Sequence, residues 1–223
     1  MLEVNRQTIF KLRPALFIIF FIFLIAFSLW FFFYLKKLDQ FPLRQVRVTI
    51  PEGYTNKDIA ERFNKFENFD KDIFFSITRD KEGYLFPDTY FFTGQETENE
   101  VVAKMEDNFK KKVGEIKPEV LVMASLLEKE SKLPEEKKII SGILWKRLKV
   151  GMPLQIDAEL DTYRYKELPP RPISNPGLES IEAAKNPVAS GYWYYLHDRK
   201  GLIHYAKTFE EHKINKEKYL RQI

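Results

Sequence analysis

Glu130 is the residue whose type and position best suit an exchange of protons with a substrate. It lies near the end of the segment 118–131, which opens with a proline and predicts a helix. At about 100° per residue, its side chain shares one arc of that helix with the apolar residues Val120, Met123 and Leu127. A carboxyl group at the end of an apolar stripe is partly desolvated, which raises its pKa. A carboxyl group that stays protonated near neutral pH can act as a general acid.

A purely structural role for Glu130 is the alternative, and the helical phase taken by itself favours that role. Glu130 would then fray into solvent at the helix end, or pair with Lys132 or Lys137. A hydrolase that uses two carboxylates needs a second acid, and Asp157 and Asp161 are the candidates, although each also suits a loop turn.

Other catalytic and ligand-binding patterns are weak in this sequence. The histidines His197, His204 and His212 lack the i, i+4 spacing of a helical zinc pair. No serine stands in a Gly-x-Ser-x-Gly motif, and the nine glycines form no phosphate-binding loop. We therefore expect neither a metal site nor a cofactor.

The composition excludes further classes of function. The chain has 223 residues, enough for one ordinary domain or two very small ones, and it has no cysteine, which excludes disulfide frameworks and thiol catalysis. The net charge of +4 comes from residues 1–37, which hold five basic residues and one acidic residue. Residues 38–223 therefore hold 31 basic and 31 acidic residues, and we expect no nucleic-acid partner.

Residues 15–35 carry no charge and include eight of the twenty phenylalanines. A helix of this length spans about 30 Å, the thickness of the hydrocarbon core of a bilayer. Trp30 and Tyr34, followed by Lys36 and Lys37, are typical of a membrane interface. We interpret the segment as a retained single-pass anchor in the lipid bilayer rather than a buried core helix or a cleaved signal peptide. The basic residues on its two sides nearly balance, so charge alone does not orient it.

The rest of the chain predicts an α+β fold. Alternation over residues 46–50 predicts a strand, Thr55 and Asp58 predict a helix start, and residues 73–77 predict a short helix. Residues 83–90 predict a rigid loop around Pro87. Further helices are predicted at 102–113, 118–131, 178–184 and 209–223, and over a segment that begins at Pro134 and stops at Gly151. A loop is predicted at 152–176, and a β-hairpin from 192–197 and 202–206.

Several segments resemble the endolytic murein transglycosylase (YceG-like) family, and they follow one another in the family's order. The strongest are residues 124–131, which end in Glu130-Ser131, and residues 146–155, which end in Gln155. The others lie at 85–90, 168–170, 173–177, 179–184, 207–208 and 211–212. The resemblance covers roughly residues 42–214.

The resemblance implies the roles of the site residues. Glu130, followed by Ser131, takes the position of the catalytic acid and base of lysozyme-like lytic transglycosylases. Gln155 takes the position of a residue that contacts the glycan. The other implied substrate-binding residues are Ser131, Asp157, Asp161, Thr162 and Tyr163.

The implied reaction cleaves the β-1,4 bond between N-acetylmuramic acid and N-acetylglucosamine in peptidoglycan and leaves 1,6-anhydro ends, which would terminate or trim nascent glycan strands. The implied partners are glycan strands and synthases of the elongation machinery. The alternatives are a two-carboxylate muramidase-type hydrolase and a non-catalytic, membrane-tethered wall-binding or scaffold protein.

The resemblance also implies an arrangement along the chain and an orientation. Residues 1–14 would be a cytoplasmic tail, residues 15–35 the membrane helix, and residues 36–82 a juxtamembrane part with a small α/β remnant of a LysM-like module. Residues 83–223 would be a mostly helical, lysozyme-like catalytic domain on the outer side of the cell membrane, with the hairpin near its C-terminus.

Overall fold

The computed structural model describes residues 6–38 and 45–220, with side chains at 17–36 and 45–220. It divides into two units, an N-terminal one whose residues 6–38 form a single helix and a second that begins at Val46. Of the predicted tail, residues 1–5 lie outside the described residues, and residues 6–14 belong to the first helix.

The first helix, α1, runs over Arg6–Leu38. Its segment Phe17–Lys36 has a mean hydropathy of 2.7, and none of it is buried inside the protein. A helix that is apolar on every face and not covered by protein is expected in a lipid environment. This segment is therefore a candidate membrane span.

The first part of the second unit is a two-stranded sheet covered by helices. Strand β1 (Val46–Thr49) pairs antiparallel with β2 (Thr89–Phe92), with Val48 opposite Tyr90. The helices are α2 (Asn56–Phe63), which begins with the predicted Thr55–Asp58 capping box, α3 (Lys71–Thr78) and α4 (Glu98–Val113). The prediction of a loop over 83–90 was wrong at its end, because Thr89 and Tyr90 belong to β2, the strand that satisfies the backbone hydrogen bonds of β1.

Two hydrophobic cores lie side by side in this unit. The first is aromatic and centres on Phe63, Phe74 and Phe92. Helix α4 belongs to both cores, because Met105 packs in the first core and Phe109 in the second. The helix therefore joins the sheet region to the helical region that follows.

The second core is built around α5 (Pro118–Glu130), which packs against α6 (Pro134–Lys149) and α7 (Leu178–Lys185). Residues 121–127 of α5 are all buried, so this helix is enclosed on every face rather than amphipathic. The predicted hairpin is present as β3 (Tyr194–His197) and β4 (Ile203–Ala206), and α8 (Phe209–Leu220) packs on it. The loop after α6 contains a 3-10 helix at Leu160–Tyr163.

Asn175 connects the two parts of the unit. Its side chain is fully buried, its Oδ1 accepts hydrogen bonds from the backbone N–H groups of Gly83 and Leu85 at 2.9 Å, and its Nδ2 donates to the Tyr54 carbonyl at 3.0 Å. Its backbone carbonyl accepts from the N–H of Gly53 at 2.8 Å. One amide thus fixes the loop before α7 against the turn after β1 and the loop before β2.

Candidate active site

The carboxyl group of Glu130 stands at the last residue of α5, where the helix ends. Ser131 is the C-cap and has an extended backbone, with its N–H donating to the Leu127 carbonyl. Glu130 is half-buried, and its Oε2 accepts a hydrogen bond of 2.6 Å from the hydroxyl of Tyr195 on β3. The second carboxyl oxygen, Oε1, has no hydrogen-bond donor among residues 45–220.

Burial is the main cause of an altered proton affinity at this carboxyl group. Desolvation raises the pKa of Glu130 above its ordinary value, and the negative charge of Asp157 raises it further. The Tyr195 hydrogen bond and the positive charges of His197 and Arg147 act in the opposite direction. Glu130 can therefore hold a proton more readily than an exposed glutamate, while donors nearby stabilise the carboxylate that remains after it gives the proton up.

Tyr195 is held in the protonated, donating form. Its pKa is raised well above the ordinary value by burial and by the charge of Glu130, to which it donates. The strand alternation of β3 places Tyr195 and His197 on the same face. This face of the hairpin therefore supplies two of the groups that act on Glu130.

Arg147 supplies a fixed positive charge from α6. It is buried, its Nε donates to the Trp193 carbonyl at 2.8 Å, and an NH group donates to the Leu154 carbonyl at 2.7 Å. Its guanidinium also lies 5.1 Å from the centre of the Tyr194 ring. These contacts hold the charge near Glu130 without forming an ion pair with it.

Ser131 lies beside the catalytic candidate but is occupied by structural contacts. Its hydroxyl donates to Glu136 Oε2 at 2.6 Å and accepts from the N–H of Leu133 at 3.1 Å. The same Glu136 oxygen lies 3.4 Å from Nε2 of His197. Ser131 thus ties the end of α5 to the first turn of α6, and its predicted contact with substrate stays a prediction.

Gln155 is exposed and has an unusual backbone. Its φ of 56° is the only positive value of a non-glycine residue among the described residues, and its N–H donates to the Thr162 carbonyl at 3.1 Å. Thr162 is buried, and its hydroxyl accepts from the N–H of Ile156 at 2.8 Å. Thr162 therefore holds the loop in shape, while Gln155 projects from it; strained residues of this kind cluster at functional sites.

The two aspartates proposed as second acids lie in different surroundings. Asp157 accepts a hydrogen bond from the hydroxyl of Tyr163, and this bond raises the pKa of Tyr163 to about 12. Its charge also acts on Glu130. Asp161 instead lines a groove of about 900 Å³ whose lining does not include Glu130. The structure thus brings Asp157 and Tyr163 to Glu130 and places Asp161 and Thr162 along the neighbouring groove.

Three residues of this site were not predicted from the sequence, namely Tyr195, Arg147 and Glu136. Tyr195 was within the predicted hairpin, but nothing in the local pattern indicates which helix end the hairpin faces. Arg147 has the sequence context of an ordinary basic residue in the last turn of a helix. Their roles depend on contacts between elements that are far apart in sequence.

The described residues contain no cluster suited to a metal ion. Among residues 6–38 and 45–220, no group of three or more histidine, aspartate or glutamate side chains has the arrangement of a metal site. The contacts and the raised pKa of Glu130 suit this carboxyl group to proton transfer, tuned by the groups around it.

The chain is similar in sequence to proteins named endolytic murein transglycosylase. It is 31% identical over 218 residues to the endolytic murein transglycosylase of Bacillus subtilis, over 83% of this chain and 57% of that protein. It is 27% identical over 239 residues to the endolytic murein transglycosylase of Streptococcus pneumoniae strain D39, over 75% of this chain and 43% of that protein. The chain thus spans about half the length of the curated relatives it matches.

A solved structure and a family profile extend the comparison to the fold. The crystal structure of a YceG-like protein from Listeria monocytogenes matches with a TM-score of 0.61 and 26% identity, over 75% of each chain. The profile of the YceG-like family matches residues 33–161 and 159–218, which is most of the chain. This protein belongs to the YceG-like family.

Proposed function

We propose that this protein is a membrane-anchored lytic transglycosylase that cleaves the β-1,4 bond between N-acetylmuramic acid and N-acetylglucosamine in peptidoglycan. The observation that carries the proposal is the half-buried carboxyl group of Glu130, whose pKa is raised by burial and whose Oε1 is left for a substrate. The names of the two relatives, both endolytic murein transglycosylases, support the substrate class.

In the first half of the reaction, protonated Glu130 acts as the general acid. It gives its proton to the oxygen between the two sugars, the bond from C1 of the muramyl unit to that oxygen breaks, and the N-acetylglucosamine leaves with a free 4-hydroxyl group. The Tyr195 hydroxyl and the charge of Arg147 stabilise the carboxylate that forms.

In the second half, the Glu130 carboxylate acts as the general base. It takes the proton of the muramyl 6-hydroxyl, whose oxygen bonds to C1 and closes the 1,6-anhydro ring. The carboxyl group is then protonated again, as at the start. Because the nucleophile belongs to the substrate, proximity replaces the water that a hydrolase must position, and one carboxyl group is enough.

The remaining site residues have roles around this carboxyl group. Gln155 projects from a loop that Thr162 holds in shape, and it contacts the glycan. Asp157 and Tyr163 form one hydrogen-bonded pair next to Glu130, and they border the muramyl subsite. Ser131 fixes the helix end and presents Glu130 to the glycan.

A two-carboxylate hydrolase is the second candidate, and Asp157 is the observation in its favour. Its charge reaches Glu130, so it could activate a water on the other side of the scissile bond. The Tyr163 hydroxyl already occupies one of its carboxylate oxygens, which favours the transglycosylase.

Mass spectrometry of the products distinguishes the transglycosylase from the hydrolase. The full chain in detergent micelles is incubated with purified sacculi, and the released fragments are analysed before any chemical reduction. Anhydro ends, lighter than reducing ends by one water, are expected from the transglycosylase. Reducing ends alone would overturn it in favour of the hydrolase, and no cleavage would leave a wall-binding protein.

The proposal also gives the molecule its place in the cell. The candidate span in α1 anchors it in the cell membrane, with the N-terminus in the cytoplasm and residues beyond the span facing the wall. Residues 36–82 are then the remnant of a LysM-like module, and residues 83–223 the lysozyme-like catalytic domain. From this position it would terminate or trim nascent strands beside the synthases of the elongation machinery.

A further inference from the structure

A groove of about 900 Å³ separates α2 and α3 from the proline-rich loop before α7, and its volume is that of a small-ligand site. It is lined on the helix side by Lys57, Phe75 and Arg79, and on the loop side by Asp161, Tyr165 and residues 167–173. The lining does not include Glu130, so the catalytic proposal leaves this groove without a role.

Two arginines, Arg79 and Arg171, line the groove. An NH group of Arg171 lies 3.5 Å from the backbone carbonyl of Arg79, and both side chains are exposed. Among residues 45–220, no carboxylate forms an ion pair with either guanidinium. Two exposed arginines that line the groove without an ion pair to a carboxylate suit a ligand that brings its own carboxylates.

The other lining residues restrict the chemical class of the ligand further. Glu159, Asp161 and Glu167 give the loop side a negative charge, which suits an amine and disfavours a polyanion such as a nucleic acid. Phe75 and Tyr165 line the groove with 38% and 63% of their surface exposed, so they offer apolar contact area. The ligand therefore has carboxylates, an amine and some apolar surface.

From these features we infer that the groove binds the short peptide stem that peptidoglycan carries on its muramyl units. The stem bears free carboxylates and a side-chain amine, whereas the glycan itself is neutral wherever the lactyl carboxyl group is joined to the peptide as an amide. This inference rests on the proposed function, because peptidoglycan is the substrate assigned there.

Residues that line the groove are next in sequence to residues that act on the proposed catalytic carboxyl group. Asp161 and Thr162 line the groove, and the next residue, Tyr163, donates to Asp157, whose charge acts on Glu130. A glycan held at Glu130 would thus extend its stem toward the groove. Glu82 also lines the groove, and burial raises its pKa to about 7. Its carboxyl group therefore carries only part of a negative charge near neutral pH and repels the carboxylates of the stem little.

Direct binding of a stem peptide tests the inference without any cleavage. The full chain in detergent micelles is titrated with a synthetic stem tetrapeptide by isothermal calorimetry, and with the same peptide amidated at its carboxylates. The parent is expected to bind the free peptide at least about tenfold more tightly than the amidated one, since charge-assisted hydrogen bonds to arginine are lost on amidation. The double variant Arg79→Ala/Arg171→Ala is expected to lose the same factor.

The matched control is Arg164→Ala, which removes an exposed arginine that does not line the groove and should leave peptide affinity unchanged. The inference is overturned if the parent shows no saturable binding of the peptide, if the double variant binds it like the parent, or if a peptide-free disaccharide displaces it. If the peptide binds as expected but sacculi yield no anhydro ends, the inference stands and the proposed function fails.

Discussion

Glu128 and Glu130 are two residues apart on α5, and their carboxylates have different partners. Glu128 is enclosed, with only 8% of its side chain exposed. It lies 3.2 Å from the ammonium of Lys137, which is itself buried, and it accepts from the N–H of Gly177 and the hydroxyl of Ser180. Glu130 is half-buried and has a single donor, Tyr195.

The difference shows that burial by itself does not make a catalytic acid. The charge of Lys137 and two hydrogen-bond donors satisfy the Glu128 carboxylate and tie α5 to α6 and α7. Glu130 is desolvated without a cation in contact, so its proton affinity rises and one oxygen remains for a ligand. A close counter-charge thus distinguishes the structural carboxylate, Glu128, from the proposed proton-transfer residue, Glu130.

The largest effect that this comparison predicts is the loss of cleavage in Glu130→Gln. The amide can still accept the Tyr195 hydrogen bond but can neither give nor take a proton, so product release should fall by about a thousandfold or more. Release of anhydro fragments from sacculi measures this effect. The free energy of unfolding should stay within about 1 kcal/mol of the parent, because no buried charge is left unpaired.

The matched control for this variant is Glu135→Gln, on the exposed side of α6, where the carboxylate forms only an i, i+3 pair with Lys138. It should cleave like the parent, since exposed pairs of this kind contribute little. Turnover by Glu130→Gln at the parent's rate would remove Glu130 from the mechanism and leave the comparison without its catalytic half.

The second prediction concerns the structural carboxylate. In Glu128→Gln, Lys137 remains buried without its partner, and one of the donors on α7 also loses its charged acceptor, so stability should fall by about 4 kcal/mol. Burial and the charge of Glu128 raise the pKa of Glu52. Glu52 is close enough to offset part of this loss. Urea unfolding followed by circular dichroism measures the change.

The double variant Glu128→Gln/Lys137→Met sharpens this prediction. Removing both charges replaces a broken ion pair with an uncharged contact, so the double variant should be more stable than Glu128→Gln alone. If Glu128→Gln unfolds at the parent's urea concentration, the Lys137 pair has no structural role and the contrast with Glu130 fails.

Glu130 is the acid proposed from the sequence, and the structure changes part of the reasoning behind that prediction. The helical phase separated Glu130 from Glu128 by assigning one to the apolar face, yet residues 121–127 are buried all round and the side chain of Glu128 is only 8% exposed. The Glu130-Ser131 motif of the family carried the assignment. What distinguishes the two glutamates is the position of Lys137, which depends on how α6 packs on α5.

Local patterns predicted the apolar helix, the Thr55 cap and the hairpin, since periodicity, capping residues and turn residues are encoded within a few positions. They failed for β2 and for Asn175. A four-residue strand becomes recognisable only with its partner, and β1 lies about 40 residues away. The Asn175 side chain bonds to groups more than 90 residues away, which no local pattern encodes.

Glu82 is a third carboxyl group to compare, because it accepts two hydrogen bonds, as Glu128 does, but has no cation in contact, as in Glu130. It should make the stability of the protein depend on pH. It accepts from the N–H of Asn56 and the Nδ2 of Asn175 but has no cation in contact, and burial raises its pKa from 4.5 to about 7. The charge of Asp58 adds to the rise, whereas Arg171 and Lys129 oppose it.

Between about pH 4.5 and 7 the folded state holds a proton on Glu82 that the unfolded chain has released, so the free energy of unfolding falls as the pH rises through this window. The full effect is about 3 kcal/mol, and it is complete above the folded pKa. In Glu82→Gln this part of the pH dependence should vanish, as measured by urea unfolding from pH 4 to pH 8. Glu167→Gln, at an exposed carboxylate of the same groove, is the control, and an equal slope in parent and Glu82→Gln would contradict the assignment.

The smallest predicted effect tests how Glu130 is tuned. In Tyr195→Phe the carboxylate loses the hydrogen bond that stabilises it, so the pKa of Glu130 should rise further. Activity that depends on the protonated acid should then persist to higher pH, and the basic limb of the kcat/KM profile should move upward. At the optimum the rate should fall about tenfold, or about 1.4 kcal/mol, because the carboxylate is less well held as a base.

The neighbouring Tyr194→Phe is the control, since that hydroxyl makes no hydrogen bond to Glu130 and its ring packs on Arg147 and His212 from the other face of β3. Its basic limb should stay where the parent's is. A basic limb that moves downward in Tyr195→Phe would mean that the hydroxyl stabilises the protonated carboxyl group instead. The hydroxyl and burial would then both raise the proton affinity of Glu130, and its contrast with the cation-paired Glu128 would rest on Lys137 only.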